Sequence, residues 1–177
     1  MIVLIGASAS GKTEIANIII EKYHFEKMIT YTTRNMRIGE INGKDYYFIT
    51  KEEFIKKLNN NEFLETTIYH NNYYGTAFKD AEENKVLIVD VNGANKIYQY
   101  LKDKVTIFLL EAPLEVRIKR MELRGDSPEQ IKSRIENDQK HFIRKNINHI
   151  DFIIETGYKS LNELADLIYQ KYKNFKA

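Results

Sequence analysis

Four apolar residues, Ile2-Val3-Leu4-Ile5, run without a break into Gly6-Ala7-Ser8-Ala9-Ser10-Gly11-Lys12-Thr13, and a helical pattern leaves that stretch. The eight residues fit G-x-x-x-x-G-K-[ST], a loop that cradles a polyphosphate between a buried strand and a helix. Its glycines let the backbone approach the ligand closely. Successive N–H groups turn inward, and the following helix N-terminus adds a favourable dipole. Lys12 is placed to reach terminal phosphates, and Thr13 supplies the hydroxyl with which such loops hold Mg²⁺.

The 177-residue chain has room for one compact α/β core with one or two subsidiary lobes, and is too short for two ordinary domains. A net charge of +2 gives no general attraction to nucleic acid, so any basic site must be local. There is no cysteine, which excludes disulfides, thiolate nucleophiles and Cys-based zinc sites. The four histidines, His24, His70, His141 and His149, lack ligand-like spacing. No apolar run approaches the length of a secretory signal core or a membrane span. These features predict a cytoplasmic enzyme with no membrane association, and they do not decide between a monomer and a dimer.

Along the chain, the periodicity predicts a helix over Glu14 to Tyr23 and a short strand over Lys27 to Tyr31. An irregular polar loop from Thr32 to Glu40 follows, with the character of a binding loop. Asp45 to Ile49 reads as a strand, Lys51 to Asn60 as a helix, and Phe63 to Tyr74 as a hairpin turning at Asn71-Asn72. Together they make a small inserted lobe. Val86 to Asp90 is a further core strand, apolar enough to be covered on both faces, Val105 to Leu110 is the next buried strand, and Asp151 to Ile154 is a fifth core strand. Helices are predicted over Ala94 to Leu101, Leu114 to Leu123, Glu129 to Arg144 and Leu161 to Tyr172. The third and second from last of these form a charged hairpin with few large apolar residues, expected to be mobile. The alternation indicates a mostly parallel five-stranded sheet with flanking helices.

In the polar loop Arg34 and Arg37 stand three apart, followed by Glu40 and Tyr46. Two guanidinium forks and a phenol suit a phosphate monoester. Here the residues become recognisable. Thr30-Tyr31-Thr32-Thr33-Arg34-x-x-Arg37-x-x-Glu40-x-x-Gly43-x-x-Tyr46-x-Phe48 resembles the nucleotide-acceptor segment of guanylate kinases. The resemblance continues through Phe63-Leu64-Glu65, Tyr73-Tyr74-Gly75-Thr76, Asp90-Val91-Asn92-Gly93-Ala94 and Arg120-x-x-x-Arg124-Gly125, and so covers nearly the whole chain.

The resemblance implies a P-loop nucleoside-monophosphate kinase fold in a single domain. Its core comprises about 1–30, 85–114 and 147–177, its acceptor lobe about 31–84 and its helical lid about 115–146. It implies ATP, with Mg²⁺, on Gly6, Ala7, Ser8, Ala9, Ser10, Gly11, Lys12 and Thr13. GMP would lie against Thr30, Arg34, Arg37, Glu40, Tyr46, Glu65, Tyr74, Thr76 and Asp90. Arg34, Arg37, Tyr46 and Tyr74 match residues that grip the acceptor's 5′-phosphate. Thr30, Glu65, Thr76 and Asp90 match the surroundings of guanine. The chemistry agrees: guanine offers a ring N–H and an adjacent amino group, which one carboxylate can accept together, and adenine lacks that amino group. Lys12, Arg34, Arg120, Arg124 and Arg134 are the candidate catalytic cations. Arg117, Arg120 and Arg124, at i, i+3 and i+7, share one helical face, and the resemblance singles out the last two.

The expected reaction is ATP-dependent phosphorylation of GMP to GDP, with dGMP a further candidate acceptor. Two rivals remain: a related small-molecule kinase with another acceptor such as ribose 1,5-bisphosphate, and a non-catalytic interaction module of the same fold. Several positions depart from the family pattern. Ala7 stands for a common proline, Ile88 for an acidic residue two before Asp90, and His141 for a lid glutamate, while Glu155-Thr156 replaces an Asn-Asp-like pair near adenine. Asp90 itself reads either as a Mg²⁺ ligand at a strand end or as a neighbour of the acceptor base.

Overall fold

The computed structural model describes residues 1–69 and 71–177, with the backbone alone for Tyr69 and His141. His70 and the His141 side chain, both weighed in the sequence, lie outside the described residues.

The first apolar run forms β1 (Ile2–Gly6), and the P-loop that follows opens directly into α1 (Lys12–Tyr23). Beside β1 lie β7 (Lys85–Ile88) and β8 (Thr106–Glu111), with β2 (Glu26–Lys27) and β9 (Phe152–Glu155) at the two edges. Every pairing in this five-stranded sheet is parallel, in the order β2-β7-β1-β8-β9. Alternation along β1 explains the unbroken apolar run. Ile2 and Leu4 pack with Ile15 and Ile19 of α1 and with Leu164 and Ile168 of α6 (Leu161–Lys176). Val3 and Ile5 pack on the other face with Ala94 and Ile97 of α3 (Val91–Leu101). Each fully buried side chain of this size contributes about 1.5–3 kcal/mol.

A second sheet, in the order β4-β3-β6-β5, carries the inserted lobe. Its strands are β3 (Tyr31–Thr32), β4 (Tyr47–Phe48), β5 (Phe63–Tyr69) and β6 (Asn72–Ala77). Phe54 of α2 (Lys51–Asn59) stacks on Phe63 with ring centroids 4.5 Å apart, closing a small core with Tyr31 and Ala77. The strand expected over Lys27 to Tyr31 is divided between the two sheets. Met28 donates its N–H to Val86 and is buried in the main core, and the chain then leaves for the second sheet.

The charged hairpin consists of α4 (Leu114–Leu123) and α5 (Pro128–His141). Ser127 and Gln130 form a reciprocal capping box at the start of α5, a signal present in the sequence. The helix stops three residues before the expected Arg144, where the chain turns through a short 3₁₀ segment, Arg144–Asn146. Within the hairpin Met121 is wholly buried and Ile131 nearly so, while the other apolar side chains of its helices are exposed or half-buried. Among the described residues no helix is long and apolar enough to cross a membrane.

Candidate active site

The P-loop leaves the C-terminal end of the central strand, where open parallel sheets bind ligands. Gly6 can carry no side chain there, since a Cβ would meet the Leu110 carbonyl oxygen at 2.5 Å and Ser10 Oγ at 2.6 Å. Gly11 occupies the left-handed region, with φ 96°, as the residue that starts α1.

The loop's carbonyl oxygens are held one after another by side chains. The Lys12 ammonium donates to Gly6 O at 2.7 Å and Ala7 O at 2.9 Å, and also to Ser10 Oγ at 3.3 Å. Arg117 Nη1 donates to Ser8 O at 3.4 Å, and Arg120 Nη1 to Ala9 O at 3.1 Å. Thr156 Oγ1 donates to Ser10 O at 2.8 Å. Within the loop the Ser10 N–H is taken up by Ala7 O at 3.2 Å and the Ser8 N–H by Asp138 at 3.0 Å, and the N–H groups of the first turn of α1 have no helical partner. Burial pushes the Lys12 ammonium down to about 8, with Arg117 lowering it and Asp138 opposing the shift.

Two clefts flank the loop's end of the sheet. One of about 300 Å³ is lined by Ala9, Gly11, Lys12, Thr13, Arg120, Arg124 and Leu161. The other, of about 500 Å³, brings together Thr30, Arg34, Arg37, Glu40, Tyr46, Glu65, Tyr74 and Asp90, with Thr67, Ile88 and Val89. Eight of the nine residues expected around GMP therefore line one cleft. The ninth, Thr76, stands behind it and donates its hydroxyl to Glu65 Oε1 at 2.7 Å.

Local structure accounts for these placements. Arg34 Nη2 donates to Glu40 Oε1 at 2.6 Å, while the other oxygen of Glu40 accepts the Arg37 N–H at 2.7 Å, so Glu40 folds the loop around both arginines. Those bonds hold the Glu40 carboxyl below its ordinary range and raise Arg34. The Arg34 guanidinium lies 5.4 Å from the centre of the Tyr46 ring. Glu65 sits on β5 facing Thr76 of β6, only 8 % exposed, and burial raises its carboxyl, with Asp90 adding to the shift. Asp90 caps α3 by accepting the Gly93 N–H at 2.7 Å, and it lines the same cleft as Ile88.

The hairpin arginines divide. Arg120 turns to the P-loop, whereas Arg124 pairs with Asp126, and Arg134 Nε lies 3.2 Å from the same carboxylate. Arg117, which the resemblance does not single out, is buried against the P-loop. Its spacing from Arg120 was the available signal. Asp138 and Thr67 carried none, and Thr156, one of the two residues that replace the family's Asn-Asp-like pair, lies fully buried and donates to the P-loop. Thr13 is exposed at the mouth of the smaller cleft and offers an oxygen, the donor type Mg²⁺ prefers. Among the described residues no group of three or more His, Cys, Asp or Glu could hold a metal ion.

The family described as guanylate kinase matches residues 1–171. A guanylate kinase of Lactobacillus delbrueckii subsp. bulgaricus is 33% identical over 189 residues, covering 94% of this chain and 93% of its own. One from Wigglesworthia glossinidia brevipalpis is 35% identical over 179 residues, covering 94% and 85%. Among solved structures, guanylate kinase from Anaplasma phagocytophilum superposes with a TM-score of 0.72 at 25% identity, covering 99% of this chain and 85% of that one. With a P-loop at the central strand and a second sheet carrying the Arg34 to Asp90 cleft, the chain belongs to the guanylate kinase family.

Proposed function

We propose that the two clefts are the donor and acceptor halves of one site, in which the γ-phosphoryl group of ATP passes to the 5′-phosphate of GMP, giving ADP and GDP. The observation that carries this reading is the single cleft in which Arg34, Arg37, Tyr46 and Tyr74 stand with the buried Glu65. Guanidinium forks and phenols match a phosphate monoester, and one ionised carboxylate matches guanine's two adjacent donors. The three-part division into core, acceptor lobe and hairpin lid within one domain belongs to this proposal, as does a cytoplasmic location, where both nucleotides are found.

The acceptor is a phosphate oxygen that already carries charge, so no side chain need remove a proton. It attacks the γ-phosphorus, and the bond from that phosphorus to the β–γ bridging oxygen breaks, leaving the electron pair on ADP. The protein must align two repelling polyanions and stabilise charge on the transferring group. Lys12 and the P-loop N–H groups serve the donor, and Arg34 and Arg37 serve the acceptor. Arg120, Arg124 and Arg134 approach from the hairpin. The Thr13 hydroxyl would hold Mg²⁺ together with the nucleotide's own oxygens, the ion supplying neutralisation of phosphate charge.

Coupled ADP-release assays with GMP, dGMP, AMP, UMP, CMP and ribose 1,5-bisphosphate test the reading. GMP should give the highest kcat/KM. Turnover with ribose 1,5-bisphosphate but not GMP would reassign the acceptor, and turnover with none would favour a binding module.

A further inference from the structure

The P-loop is gripped at Ser8 by a pair of side chains that the reaction, as set out above, does not use. Asp138, on the second helix of the hairpin, accepts the Ser8 N–H at 3.0 Å on one carboxylate oxygen and the Ser8 hydroxyl at 3.0 Å on the other. Arg117, on the first helix, donates to Asp138 at 2.7 Å and also reaches Ser8 O at 3.4 Å. All three polar groups of Ser8 are thus engaged by one ion pair, whose side chains are 11% and 13% exposed. Two partly desolvated charges held this way are costly unless further hydrogen bonds satisfy them, and Ser8 supplies those bonds.

We propose that Arg117 and Asp138 are positioning residues for phosphoryl transfer: their ion pair ties both helices of the hairpin to Ser8 and holds the P-loop in its phosphate-binding shape. The inference rests on the donor role given to the P-loop. Because Arg117 neutralises Asp138, the pair presents no net charge to an incoming triphosphate. Its contribution is shape, since a carboxylate clamped on the Ser8 N–H and hydroxyl fixes the backbone two residues before the Ser10-Gly11-Lys12 turn. The two charges also act in opposite directions at Lys12, Asp138 raising and Arg117 lowering its proton affinity. Closure of the hairpin and the shape of the phosphate cradle then become one event rather than two.

The test is equilibrium binding of MgATP in the absence of any acceptor, run beside steady-state kinetics and thermal unfolding. The variants are Asp138→Ala, Asp138→Glu and the paired replacement Arg117→Met with Asp138→Leu. Asp138→Ala should weaken MgATP binding about tenfold, the scale of losing charge-assisted hydrogen bonds, while KM for GMP moves less than about twofold. Asp138→Glu should recover part of that loss. The paired replacement fills the same space with apolar atoms and should restore the unfolding temperature, as buried ion pairs exchanged for apolar groups often do. Its MgATP binding should stay about tenfold weak, because nothing then holds Ser8. Recovery of MgATP binding together with stability would reduce the pair to a fold contact and overturn the proposal. Unchanged binding in Asp138→Ala, or tighter binding from relief of a competing anion, would overturn it as well. A wild-type chain that binds MgATP yet leaves GMP untouched would fail only the acceptor reading.

Discussion

The Thr76 hydroxyl donates to Glu65 Oε1 at 2.7 Å across the β5–β6 pair, and both residues are buried. That bond favours the ionised carboxylate, while burial and Asp90 disfavour it, and the balance leaves Glu65 raised. Guanine's ring N–H and amino group need the ionised form. KM for GMP should therefore rise as pH falls through the raised Glu65 value, above the ordinary Glu value of about 4.3. Glu65→Gln should lose that limb of the pH profile and most of the preference for GMP over AMP. Equal discrimination in the variant would remove Glu65 from the base pocket.

Lys12 sets the opposite limb. With its ammonium lowered to about 8 by burial, raising pH through that value removes the positive charge that meets the phosphates. Since kcat/KM reports the free enzyme, its value for ATP should fall above about pH 8. Lys12→Arg, whose guanidinium stays charged, should be slow but flat over the same range. A wild-type profile flat to pH 9.5, about 1.5 units past that value, would contradict the assignment.

Arg124 and Arg134 both pair with Asp126 at the hairpin turn, half exposed, and neither is engaged with the P-loop in this conformation. If they swing onto the transferring group, they act chiefly in the transition state. Arg134→Met should then lower kcat by at least about 100-fold while both KM values stay within a few-fold, as for other preorganised donors. A shift in KM for ATP at constant kcat would instead make Arg134 a ground-state contact.

Thr156 is fully buried and donates to Ser10 O at 2.8 Å and Glu111 O at 3.3 Å. Thr156→Val keeps the shape and removes the donor, leaving the Ser10 carbonyl short of a partner while Glu111 O keeps the Thr156 N–H. A loss of about 1–3 kcal/mol in urea unfolding should follow, with a higher KM for ATP. Thr156→Ser should recover much of both, and a Val variant as stable as wild type would show the bond to be dispensable.

The strands and helices of the core were legible because their apolar residues alternate or recur at fixed spacing. Ile2 to Ile5 read as the buried strand that a P-loop requires, and both of its faces are covered. The acceptor residues were legible as a dense motif in one segment. Arg117, Asp138 and Thr156 were not, because each acts on the P-loop from more than 100 residues away, and no local period encodes such a contact. Sheet order was equally hidden, since it depends on which strands meet after two excursions into other lobes. The division of Lys27 to Tyr31 shows the same limit: neighbouring residues join different sheets when the chain changes lobes between them.

The side-chain grip on the carbonyls of residues 6 to 10 has a consequence for portability. The eight-residue motif owns only part of its conformation: Lys12 holds the carbonyls of Gly6 and Ala7, and the rest is borrowed from α4, α5 and the segment after β9. Grafted onto another strand and helix without those anchors, Gly6 to Thr13 would carry the right letters but lack the shape. A fragment ending before Thr156 would likewise keep the signature and lose the cradle.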